Sequence, residues 1–147
     1  MKYLIIFTLF FGFSKEFHIS AQEQDTPLRV YYTASSRGYY YEIALQEPVI
    51  KVFHSRDRQV AAEGTLPQDT WMEIRNILSG IELKDLPDIN TYIDDSARDK
   101  SAIAQLRVCH GGKSYKTPEF DQNKVPKDLK SLINKMKSLA VIVESEE

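Results

Sequence analysis

His54-Ser55 sets an imidazole beside a hydroxyl, the raw materials of nucleophilic acyl transfer. That chemistry needs the hydroxyl raised on a sharp, glycine-flanked turn from strand to helix, and Ser55 is followed by Arg56-Asp57-Arg58 instead. Cys109-His110 is the other adjacent couple. It falls in an alternating stretch, and neighbours in a strand point to opposite faces, so thiol and imidazole cannot attack one substrate atom together. Neither pair has the ligand spacing of a zinc site. Asp94, Asp95 and Asp99 are hard oxygen donors that could gather calcium, but they fit no EF-hand loop, and the plainer reading is an acidic segment kept in water. These residues give no catalytic set, no metal site and no cofactor, and the reading leans away from an enzyme.

Other side chains fit binding better than bond-breaking. Tyr31 and Tyr40 fall on the side of their strands opposite the apolar positions, where with Phe53 they could make an aromatic patch for a peptide or sugar. The plainer reading is cross-strand packing, since aromatic residues suit a pleated surface. Arg37 sits in the Ser35-Ser36-Arg37-Gly38 turn before the run Tyr39-Tyr40-Tyr41. Asp121, in Glu119-Phe120-Asp121-Gln122-Asn123, can accept from backbone amides in an Asx-turn; a ligand contact is the alternative. Tyr31, Arg37, Tyr40 and Asp121 are therefore the candidate binding residues.

The elements that must position these residues begin after an amino-terminal address. Met1-Lys2-Tyr3, the apolar run Leu4–Phe13 and a small-residue stop at Ala21 describe a secretory signal peptide over residues 1–21, with residues 22–27 as a flexible lead. The run is short for a membrane span. No cysteine follows it, so the lipoprotein route is not supported, and export to the periplasm or beyond the cell is expected, with no membrane span after cleavage. Taking away Lys2, Lys15 and Glu16 leaves a net charge of about −3, which gives no electrostatic case for nucleic acid or an anionic membrane. Cys109 is the only cysteine, so no intrachain disulfide can form.

Residues 28–34, 39–45 and 49–54 alternate and are rich in β-formers; they read as three strands of a meander, with a possible edge piece over 59–63. On the second strand Tyr39, Tyr41, Ile43 and Leu45 share the core face. Thr65-Leu66-Pro67-Gln68 has the spacing of a capping box and should open a helix whose stripe is Trp71, Ile74, Ile77, Leu78 and Ile81, closed near Gly80. Residues 83–101 show no period and read as a long loop. A hairpin follows, 102–109 and 114–117 about the turn His110-Gly111-Gly112-Lys113. After a second loop, 118–125, Pro126 suits the first turn of a helix carrying Leu129, Leu132, Ile133, Met136 and Leu139. Fraying is expected beyond Val143, which bounds the domain at 28–143 and leaves an acidic tail over 144–147. The fold class is α+β: an antiparallel sheet of about five to six strands with two amphipathic helices on one face.

Ser36-Arg37-Gly38-Tyr39-Tyr40-Tyr41-Glu42-Ile43, Trp71 with Ile74, Ile81-Glu82-Leu83-Lys84-Asp85-Leu86-Pro87, Ala102-Ile103-Ala104-Gln105-Leu106, Gly112-Lys113-Ser114-Tyr115 and Phe120-Asp121 before Pro126 together resemble a family of small exported bacterial α+β proteins of uncharacterised function. That family's pattern has Asp-Gly-Ala before the penultimate hairpin and Phe-Asp-His-Gly-x-Pro-Pro before the last helix. This chain has Asp99-Lys100-Ser101-Ala102 and Phe120-Asp121-Gln122-Asn123-Lys124-Val125-Pro126, so a glycine and a histidine are missing. If that histidine serves a family activity, this chain lacks it. The layout is also similar to the emfourin type of metalloprotease inhibitor, as architecture only. The expected function is a non-enzymatic binding or inhibitory module for a protein, peptide or sugar of the envelope. The alternatives are a small envelope hydrolase using Asp121 and a histidine, and a structural envelope component.

Overall fold

The computed structural model describes residues 27–93 and 101–146. Alternation in the first tyrosine-rich stretch becomes β1 (Arg29–Ser36), which buries Val30, Tyr32 and Ala34 and leaves Tyr31 and Thr33 half-buried. The Arg37-Gly38 turn leads into β2 (Tyr39–Gln46), a Glu47-Pro48 turn with a cis peptide into β3 (Val49–Phe53), and the Ser55–Gln59 loop into β4 (Val60–Thr65). β5 (Ile103–His110) pairs with the other side of β1, and β6 (Lys113–Lys116) returns along it through the turn at Gly111 and Gly112, whose φ of 56° and 71° suit glycine. The order is β4-β3-β2-β1-β5-β6, antiparallel throughout. Among the described residues the sheet has seven strands, because Phe120–Asp121, inside the stretch read as a loop, forms a two-residue β7 on the part of β5 that β6 leaves unpaired.

Two helices cover one side of this sheet. α1 (Gln68–Ser79) buries Trp71, Ile74 and Leu78, and α2 (Lys130–Ser145) buries Leu132, Ile133, Met136, Leu139, Ala140 and Val143. All of them join one cluster with Val30, Tyr32, Ile43, Leu45, Ile50, Val52, Leu106 and Val108, which share a single sheet face by their two-residue period. The residues between them belong to no core cluster among the described residues, and neither α1 nor α2 lies on the reverse face.

Several local expectations are corrected. Thr65 does not cap α1: it is the last residue of β4, paired with Val49, while Pro67 occupies the helix's first flanking position with no side-chain cap. Ile81 lies beyond the helix and is half-buried. The stretch read as loop from Leu83 begins with a 3-10 helix, Leu83–Asp88, that buries Leu86. Tyr39, whose alternation puts it on the core face, is 44% exposed, at the end of β2 that the core cluster does not reach. Fraying after Val143 does not occur: α2 runs to Ser145, so Glu144 and Ser145 are helix rather than tail. Two contacts hold that end. Val143 seats on Gly64, where a Cβ would lie 2.9 Å from its Cγ2, and Glu144 Oε1 lies 2.6 Å from His54 Nε2.

Candidate functional site

The face without helices is built by strand register. Crossing from β4 to β6, Glu63, Lys51, Ala44, Tyr31, Arg107 and Lys116 are direct neighbours in one row. A parallel row holds Phe53, Glu42, Thr33 and Gln105. Each is the alternate residue of a strand whose other face is core, so folding itself aims them outward.

The Ser55–Gln59 loop then folds back over these rows. The β3–β4 register shifts between Val52 and Phe53, and Arg58 takes a left-handed backbone with φ of 57°. For a residue with a Cβ that conformation costs about 1–2 kcal/mol and needs support from its surroundings. Support is present on both sides of the guanidinium: Nη2 lies 2.8 Å from Glu42 Oε1, and the group sits 4.9 Å from the centre of the Phe53 ring. Glu42 is only 4% exposed, a position a carboxylate holds only with partners, and it also accepts a hydrogen bond from the Tyr40 hydroxyl. Burial first, then the bond to Glu42 and its charge, push the Tyr40 phenol up to about 12.

Every aromatic ring on this face carries an arginine. Besides Arg58 over Phe53, Arg107 lies 4.3 Å from the Tyr31 ring centre and Arg56 lies 5.6 Å from that of Tyr40. The expected aromatic patch is therefore a layer of guanidinium groups resting on rings. Two adjoining hollows open between them. One, about 190 Å³, is lined by Tyr31, Thr33, Glu42, Arg58, Gln105, Arg107 and Lys116. The other, about 430 Å³, runs past Ala44, Pro48, Val49, Lys51 and Phe53, and shares Tyr31 and Arg58 with the first.

Of the four candidate residues, Tyr31 stands at the centre of this site. Tyr40 shares the face but is not beside Tyr31: it pairs with Ser35, whereas Tyr31 pairs with Ala44, and Tyr40 lines neither hollow. Both tyrosines are half-buried. Arg37 is exposed in the β1–β2 turn and lines neither hollow. Asp121 is buried and spends its carboxylate internally: Oδ2 accepts from Ser101 Oγ at 2.8 Å and Oδ1 from the Asn123 amide at 2.8 Å, the Asx arrangement foreseen as its pinning role. The residues not singled out beforehand are Glu42, Arg58, Gln105, Arg107 and Lys116. Gln105 and Arg107 were detectable as the polar positions of an alternating strand, and Glu42 as a charge inside an apolar one; nothing local signals Arg58.

Among the described residues no acid-base pair forms between Asp121 and a histidine. His110 is at the opposite end of β5 from Ile103, the partner of Asp121, a separation of about 23 Å by strand rise. His54 follows β3, four strand spacings or about 19 Å across the sheet, and faces Glu144. Among the described residues no group of three His, Cys, Asp or Glu side chains could hold a metal ion, and Asp94, Asp95 and Asp99 lie outside the described residues. No described helix is long and apolar enough to cross a membrane. A third hollow, about 370 Å³ and mostly apolar, lies at the end of α1 between Leu28, Leu78, Ile81, Leu83, Val108 and Tyr115. Its nearby cations are taken, Arg75 by Glu47 and Lys84 by Glu82. No family model matches the chain, and no curated protein matches it.

Proposed function

We propose that this chain is a non-enzymatic binding or inhibitory module of the envelope, taking a protein, peptide or sugar partner across the open face of its sheet. The observation that carries the reading is the pair of adjoining hollows on a face that carries no described helix, walled by the strained Arg58 and by Tyr31. Strained backbone conformations held in place by their surroundings cluster at ligand-binding and switch sites. Export, as the signal-like residues 1–21 suggest, would bring this face to partners outside the cytoplasm. The resemblance to small exported α+β proteins agrees with this setting and adds no activity.

The test fills the larger hollow. Ala44 lies in the row beside Tyr31 and points away from the core, so Ala44→Trp should block the face while the covered side still folds. Native protein and variant are read out on arrays of peptides and glycans, with thermal melting as a folding control. Binding by the native chain that the folded variant loses supports the reading; no binding at all, or equal binding by both, contradicts it.

A further inference from the structure

We propose that the partner of the open face is an acidic peptide segment, whose carboxylates are taken by Arg107 and Lys116 at the smaller hollow. This rests on the reading of the face as a binding surface and names its ligand. The charge inventory is the first argument. Lys51 is met by Glu63 at 3.0 Å and Arg58 by Glu42 at 2.8 Å, whereas Arg107 and Lys116, neighbours on β5 and β6, have no acidic partner among the described residues. The whole chain is formally −2, so two unmatched cations side by side at a hollow run against its average charge. With Glu42 of the same hollow engaged by Arg58, they leave a local positive charge that favours a carboxylate ligand.

The second argument is the geometry of the cations. The Arg107 guanidinium lies 4.3 Å from the Tyr31 ring centre, and a guanidinium held on a ring keeps its N–H fork available for a carboxylate. Beside it, Gln105 donates through Nε2 to the Thr117 carbonyl at 2.8 Å, and its amide oxygen, with no donor among the described residues, can accept from a peptide N–H. The third argument favours peptide over sugar. Sugar rings pack their C–H faces on bare aromatic surface, and each ring on this face already carries a guanidinium. Peptide carboxylates and amides match what remains.

The test is calorimetric titration of the full mature-length chain with an acetylated, amidated octapeptide of alternating Glu and Thr. Its Gln-for-Glu counterpart and an oligogalacturonate of equal charge serve as comparisons. The acidic peptide should bind in low salt and weaken as salt rises, and the Gln peptide should bind at least about tenfold more weakly, because charge-assisted hydrogen bonds are lost. Arg107→Ala with Lys116→Ala should weaken the acidic peptide by about tenfold or more. Should that double variant fail to fold, Lys116→Glu alone should give a loss in the same direction. Equal binding of the Gln peptide, or preference for the oligogalacturonate, overturns the acidic-peptide proposal and leaves the open-face reading intact. Binding of the acidic peptide that survives both the double variant and Ala44→Trp overturns both.

Discussion

Tyr31 and Tyr32 are neighbours in β1 and meet opposite surroundings. Tyr32 is fully buried among helix and sheet side chains, with Lys137 Nζ 5.1 Å from its ring centre, and burial drives its phenol well above the ordinary tyrosine range. Tyr31, one residue earlier, lies on the other face under Arg107 and between two hollows. The same contrast runs along every central strand. The covered face is a close-packed apolar layer that serves stability, although the Tyr32 hydroxyl and the Trp71 indole N–H are buried in it without a hydrogen-bond partner among the described residues, while the open face is charged, grooved and partly strained. The first is where substitution should cost folding, and the second is where it should cost binding.

The largest effect should come from the covered face. Trp71→Ala removes a fully buried indole from the interface of α1 with the sheet and should lower stability by about 3–5 kcal/mol, read as the shift in a urea unfolding midpoint. A loss under about 1 kcal/mol would mean that α1 does not seat as described. Gly64→Ala should come next. Its Cβ would meet Val143 at 2.9 Å, and the overpacking should cost about 1–3 kcal/mol, with Gly64→Ala in a Val143→Ala background recovering part of it.

The tyrosines sharpen the comparison through pH. Burial raises the phenols of Tyr40 and Tyr41 to about 12 from the ordinary 10 and raises Tyr32 further. A raised value means that the folded state holds its protons more tightly. That stabilisation is complete below pH 10 and is lost as pH climbs from 10 through 12. Ultraviolet titration should therefore show these tyrosines ionising late, with unfolding as they do so. Lys137, lowered by burial, pulls stability the opposite way and only softens the decline. The smallest folding effect should belong to the open face: Arg107→Ala should leave the unfolding midpoint within about 0.5 kcal/mol of native. A larger destabilisation would mark Arg107 as structural.

Much of this division is legible in the sequence. Period-two patterning assigned Ile43 and Leu45 to one face and Tyr40 and Glu42 to the other, because alternation in a strand is set by backbone geometry alone. The two helices were readable from stripes three and four residues apart. What escaped depends on contacts between distant residues. Thr65 has the chemistry of a cap but is held by β3, and α2 persists to Ser145 because Val143 finds a glycine on β4. Two-residue β7 is too short to have a period. Of the site, Tyr31 was legible as an outward aromatic residue. The arginines stacked on the rings were not, since Arg58 reaches Phe53 and Glu42 only through a bulge and a left-handed turn.

The most direct test of the claim that one face folds the chain and the other binds is two-dimensional amide NMR of the full mature-length protein titrated with the acidic octapeptide. The shifts should move at Tyr31, Thr33, Glu42, Gln105, Arg107 and the Arg58 loop, and leave α1 and α2 in place. Shifts gathered instead at Leu83 and Tyr115, around the apolar hollow beside α1, with the open face unmoved, would contradict it.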